Sequence, residues 1–135
     1  MSSTIETEET ISVGQATVIS CCSPATEYEV VFEDDGETGY FYGLDNRRDE
    51  NRILDAMHIY NVRKVLDKEK RSLVQIVWSE DGLKAALLIN EFPHAVFDFA
   101  AKRGYCRTNF PNLSSSDPDW PSSSKEWKDG VMDLF

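Results

Sequence analysis

The chain has 135 residues, 41% hydrophobic and 11% aromatic, and a formal net charge of −10; this suits a single domain with one core and excludes the low-hydrophobicity class that stays unfolded. Its longest wholly apolar run, Ala85 to Ile89, is far short of the roughly 20 residues that span a bilayer, and the acidic stretch from Met1 to Glu9 lacks the basic start and apolar run of a secretory leader. Three cysteines, Cys21, Cys22 and Cys106, are too few and too badly spaced for a disulfide framework, so a soluble, cytoplasmic protein in a reducing compartment is expected.

Residues 1 to 10 are polar, acidic and without periodicity, and read as a flexible tail ahead of a globular domain over 11–135. Ser12 to Ser20 reads as a first strand, broken from Cys21 to Ala25 around Pro24. Val30-Val31-Phe32-Glu33-Asp34-Asp35-Gly36 and Ile76-Val77-Trp78-Ser79-Glu80-Asp81-Gly82 then match at a constant offset of 46. Each Asp-Gly is followed by a second apolar run, Tyr40 to Leu44 and Ala85 to Ile89. Strand, Asp-Gly, strand is the strongest short-range hairpin signal, because these residues tolerate the positive φ of tight turns. A duplication and two uses of the same turn chemistry explain the match equally well.

Between the hairpins, Ile53, Leu54, Met57 and Tyr60 approximate helical spacing, while His58 to Val62 suits a strand. The segment is expected to form a short helix from about Glu50 to Met57 running into a strand. Arg63 to Arg71 reads as an exposed, mostly basic loop. Glu91-Phe92-Pro93 is a turn signal, and His94 to Phe99 reads as the third strand of a meander over Ser72 to Phe99. Pro111 to Ser124, rich in Ser, Pro and Asp around Trp120, is a loop. Glu126 to Phe135 reads as a last helical turn that docks on the sheet through Trp127, Val131, Met132 and Phe135. The fold class is therefore α+β, mainly β: an antiparallel sheet of two similar hairpins and a three-strand meander, with one or two short helices.

The charge is lopsided. Ten carboxylates and no Lys or Arg lie between Met1 and Asn46, while the rest of the chain carries fourteen charges of each sign. Such a field repels phosphate backbones and anionic lipid heads and attracts cationic partners. Glu33, Asp34, Asp35 and Glu37 cluster about one turn, and Tyr40 and Tyr42 follow on the next strand; together they are the candidate partner-binding residues. A calcium loop needs a liganding order and a distant bidentate Glu that this turn lacks, so no metal and no cofactor is expected.

The imidazoles of His58 and His94 and the thiol of Cys106 are the candidates for acid/base or nucleophilic chemistry. No zinc-type spacing joins them. His94 and Asp98 on one regular strand would lie about 13 Å apart at a ~3.3 Å rise per residue, beyond hydrogen-bond reach. No G-x-S-x-G, P-loop, G-x-G-x-x-G or H-E-x-x-H occurs, which removes the commonest hydrolase, nucleotide-binding and zinc-protease readings. Lys102 to Arg107 interleaves three bases with Tyr105, the minimal form of a phosphate-contacting loop, but three bases against this net charge disfavour nucleic acid. The strands carry Tyr40, Phe41, Tyr42, Trp78, Phe97, Phe99, Tyr105 and Phe110, more aromatics than one sheet face needs. Any on an outer face would make an apolar patch beside the acidic turn.

Over Val31 to Tyr42, His58 to Val62 and Gln75 to Phe99, the chain resembles an uncharacterised bacterial family, domain of unknown function 2251. The resemblance covers about residue 12 to Phe135. It implies a bacterial protein of one domain and carries no activity or site residue with it.

These readings favour a non-catalytic binding domain whose acidic first third meets a cationic protein, as an immunity or antitoxin-like inhibitor would. The rivals are a small enzyme using His58 or His94 as acid/base in a cleft, and a structural or assembly subunit with an apolar interface. Neither a membrane nor a nucleic acid is expected as partner, and the oligomeric state is open.

Overall fold

The computed structural model describes residues 3–107, 120, 126–128 and 130–135. Among the described residues, nine strands run in chain order: β1 Ser3–Ile11, β2 Thr17–Cys22, β3 Tyr28–Asp34, β4 Thr38–Asp45, β5 Ile53–Asn61, β6 Ser72–Ser79, β7 Lys84–Ile89, β8 Phe92–Asp98 and β9 Arg103–Cys106. They form two antiparallel sheets, one of order β2-β3-β4-β5 and one of order β1-β6-β7-β8-β9. The described residues contain no α-helix, only 3-10 turns over Val62–Lys64 and Val131–Leu134.

The two Asp-Gly hairpins form, and each lies in a different sheet. Their turns differ. Asp35 N–H donates to Thr38 O and Gly36 has φ +98°, the two-residue turn that wants glycine first. In the second, Gly82 N–H donates to Ser79 O and Gly82 has φ +72°, closing a longer turn. The aspartates do the same work in both: Asp35 Oδ1 accepts from the Glu37 and Thr38 amides, and Asp81 Oδ1 accepts from the Leu83 amide and the Ser79 hydroxyl.

The sheets pack face to face. Ile19, Val30, Phe32, Phe41, Met57 and Ile59 from one meet Val74, Ile76, Trp78, Leu87, Phe97 and Cys106 from the other, all buried. Phe41 and Phe97 touch across the interface, with ring centroids 5.2 Å apart. On the far side of the five-stranded sheet, Val77, Ala86, Val96 and Tyr105 are covered by Val131 and Phe135, with Trp127 and Met132 packed alongside.

Four expectations give way to the structure. The segment read as a tail is β1, paired with β6 along its length and tied by Gln75 Nε2 donating to Glu8 Oε1 at 2.7 Å. Its acidic residues mark an edge strand, where charge discourages further pairing, and β-branched Thr4, Ile5, Thr7, Thr10 and Ile11 favour extended backbone. The strand expected to stop before Cys21 runs through Cys22, with Cys21 buried and Cys22 exposed in regular alternation. The helix expected over Glu50 to Met57 is strand β5: a bulge sets Gly43 opposite Asp55 but Leu44 opposite Ile53, so Leu54 is an inserted residue. That insertion produced the helix-like spacing of Ile53, Leu54 and Met57. Finally, the turn read at Glu91-Phe92-Pro93 is made by Asn90 and Glu91, φ +52° and +68°, and Phe92 already belongs to β8.

Candidate functional site

The four-stranded sheet has one buried face and one that no described residue covers. Register fixes what the open face presents. Val18, Ser20 and Cys22 on β2 stand opposite Glu33, Val31 and Glu29 on β3. Those in turn face Tyr40, Tyr42 and Leu44 on β4, and Tyr40 faces His58 on β5. Because the side-chain period of a strand is two, the residues between them go to the core. Val18 is 65% exposed and Ile53 52%. Tyr40 and Tyr42 stack with centroids 5.8 Å apart, and the His58 ring lies 5.7 Å from Tyr40. The Tyr42 hydroxyl donates to Glu33 Oε1 at 2.9 Å; partial burial and the Glu33 carboxylate push its ionisation well above the tyrosine range. His58 Nε2 is 2.8 Å from Asn61 Oδ1. The result is a fixed aromatic and aliphatic surface carrying Glu29 and Glu33, with no cation on these strands.

The acidic turn divides into two kinds of residue. Asp35 and Glu37 are exposed beside this face, and the Glu37 and Thr38 amides hold the Asp35 carboxyl below the usual carboxylate range. Asp34, grouped with them by sequence, is wholly buried. Its carboxylate accepts from Gly14 N–H and Gly36 N–H at 2.8 Å each and from the Tyr60 hydroxyl at 2.7 Å. It therefore braces the fold and does not reach a partner. Among the described residues, no group of three His, Cys, Asp or Glu side chains is placed to hold a metal ion.

The three candidates for chemistry are dispersed. Cys106 is buried between the sheets, its thiol directed at the His58 carbonyl oxygen at 3.7 Å, so a substrate has no approach to it. His58 belongs to the open face. His94 packs edge-on against Phe92, and Asp98 accepts from the Ala101 amide at the far end of the strand. Burial, with Arg107 nearby, holds the His94 pKa below its ordinary 6.5. The unfolded chain then binds the proton more readily, so this residue's contribution falls away as pH drops below about 6.5. NMR titration of the imidazole is expected to give a midpoint under that value, and H94Q is expected to flatten the mildly acid limb of the stability profile.

The basic and aromatic segment read as a phosphate-contacting loop is strand β9 with its exit. Its guanidinium groups are spent on rings: Arg103 lies 4.3 Å from the Tyr105 centroid, and Arg107 lies 4.1 Å from Trp127 and 4.5 Å from Phe92. Phe41, Trp78, Phe97 and Phe99 are core. Phe110 and the Pro111 to Ser124 loop fall outside the described residues, apart from Trp120, which is buried against Phe97 and Phe99. The open face itself was foreshadowed by alternation around Tyr40 and Tyr42; the inclusion of Val18, Glu29 and His58 needed the strand register.

The model of a bacterial family described as an uncharacterized protein conserved in bacteria, DUF2251, matches residues 11–135. The chain belongs to this family. An uncharacterized protein of Haemophilus influenzae is 49% identical to this chain over 84 residues, 62% of this chain and 52% of the relative. The match thus spans about half the length of that relative. No solved structure matches the chain. No helix among the described residues is long and apolar enough to cross a membrane.

Proposed function

We propose that this protein is a non-catalytic binding protein whose open, tyrosine-bearing sheet face takes a cationic protein, in the manner of an immunity or antitoxin-like inhibitor of a basic toxin. The observation that supports it is the composition of that face: stacked Tyr40 and Tyr42 with Val18 and Val31, bordered by Glu29, Glu33, Asp35 and Glu37. Tyrosine supplies large contact area at low entropic cost, and the carboxylates choose the sign of the partner. The ring pair and the Tyr42–Glu33 hydrogen bond are already ordered, so little freedom is left to lose on association. The other sheet's outer face is closed by the chain's own Val131 and Phe135, while no described residue closes this one.

The test is capture from the native bacterial lysate at low salt, with the parent chain and the E29K/E33K variant side by side. A basic protein should be retained by the parent, eluted by salt, and lost from the variant. With that protein purified, the variant's association rate is expected to fall about tenfold or more at low ionic strength, with the difference shrinking as salt is added. Equal association by parent and variant would overturn the reading. So would sedimentation showing that a second copy of the chain occupies the face.

A further inference from the structure

At one end of the sandwich the chain crosses from β5 to β6 and leaves a cleft of about 510 Å³. This volume lies in the range of small-molecule sites. The cleft is remote in character from the acidic sheet face, and no part of the binding reading above depends on it.

Its walls are of two kinds. Val13, Val65, Leu66 and Ile89 supply an apolar lining with Tyr60. The Tyr60 hydroxyl is committed to Asp34, so that residue offers its ring and not a donor. Lys70 and Arg71 stand side by side at the cleft, against one lining carboxylate among the described residues, Asp67. Neither cation has an ion-pair partner among the described residues. In a chain with ten carboxylates and no cation before Arg47, the crossover carries an excess of positive charge, Arg63, Lys64, Lys68, Lys70 and Arg71 against Asp67 and Glu69. Leu66 adds the second observation. It is 87% exposed on the lip of this cleft, in a loop whose next residue, Asp67, is held at φ +55°. A leucine left in water gains when an apolar body covers it.

We infer that this cleft binds a small amphiphilic anion, with an apolar body against Val65, Leu66 and Ile89 and a carboxylate, sulfonate or phosphate group at Lys70 and Arg71. The cations provide orientation and sign selection, and the apolar wall provides most of the contact area. His94 lines the same cleft, and its depressed pKa keeps it uncharged near neutrality, so the positive charge there is that of Lys70 and Arg71.

The probe is 8-anilinonaphthalene-1-sulfonate, titrated into the full ¹⁵N-labelled chain and followed by amide shifts. Saturable shifts are expected to cluster on Tyr60, Leu66 to Ser72, and Ile89 to His94. The K70E/R71E variant should bind the probe about tenfold more weakly or worse, since two nearby attractions become repulsions. L66D should also weaken it, while E29K/E33K should leave it unchanged. The sulfonate-free counterpart, N-phenyl-1-naphthylamine, should bind at least about tenfold more weakly than the anion. All the substituted residues are exposed or on strand surfaces, and unaltered amide spectra away from each substitution establish that the variants are folded. Shifts located on the open sheet face, affinity untouched by K70E/R71E, or equal binding of the uncharged counterpart would each overturn the inference.

Discussion

Alanine at Asp34 is expected to destabilise the protein by about 3 kcal/mol, read as a shift in urea midpoint at constant slope. The carboxylate is wholly buried and satisfies three donors from separate parts of the chain: the Gly14 amide ahead of β2, the Gly36 amide in the first hairpin turn, and the Tyr60 hydroxyl at the end of β5. Removing it leaves those donors without their acceptor, and an unsatisfied buried donor costs more than its bond contributes. The arrangement depends on one more residue. Asp34, Gly39 and Tyr60 lie in a row across β3, β4 and β5, and a Cβ at Gly39 would sit 2.6 Å from the Tyr60 ring. Only glycine lets that ring lie across β4 to reach the carboxylate. G39A is therefore expected to approach the Asp34 variant in its loss of stability, and Y60F, which removes one donor together with its bond, to lose about 1 kcal/mol. A loss well under 1 kcal/mol in the Asp34 variant would mean that water replaces the carboxylate.

Replacement of Trp120 by alanine should cost about 4 kcal/mol, within the range for deleting a buried aromatic. Trp120 is 2% exposed. Its ring meets Phe97 and Phe99 edge-on with centroids 6.1 and 5.7 Å away, and its indole N–H donates to buried Asp55 at 3.1 Å. It fastens a residue distant in sequence to the interior of both sheets, since Asp55 lies on β5 and Phe97 on β8. W120F keeps a ring in the cavity and loses the donor, so its penalty should be the smaller, about 2 kcal/mol. Thermal unfolding of the two variants separates the packing contribution from the hydrogen bond.

The fold is most legible in the sequence where strand period and turn chemistry agree. Asp35-Gly36 and Asp81-Gly82 marked hairpins because aspartate caps its own turn and glycine accepts a positive φ, both local properties. The division into two sheets was not local. Nothing in Val30 to Leu44 or Ile76 to Ile89 says that the hairpins pack against each other instead of side by side. β1 was hidden by its charge, which obscured a β-branched pattern, and β5 by a bulge that inserted Leu54 and disturbed the alternation. In the candidate site, Tyr40, Tyr42, Glu33, Asp35 and Glu37 were legible as an acidic, aromatic group, but Asp34 was indistinguishable from its neighbours. Its burial follows from Gly14 and Tyr60, whose approach depends on tertiary structure. Val18 and Glu29 join the open face through pairing across β2, β3 and β4, and register is invisible to a reading that moves one segment at a time.

The pairing of β1 with β6 bears on how the protein is made. β2 to β5 and β6 to β9 are each a run of neighbours that can assemble as the chain lengthens, whereas Ile11 meets Ser72 and Ser3 meets Ser79. During translation the β1 segment must wait about sixty residues for its partner strand to emerge. Through that interval it lacks its β6 partner, and its carboxylates, Glu6, Glu8 and Glu9, oppose its pairing with neighbouring nascent copies.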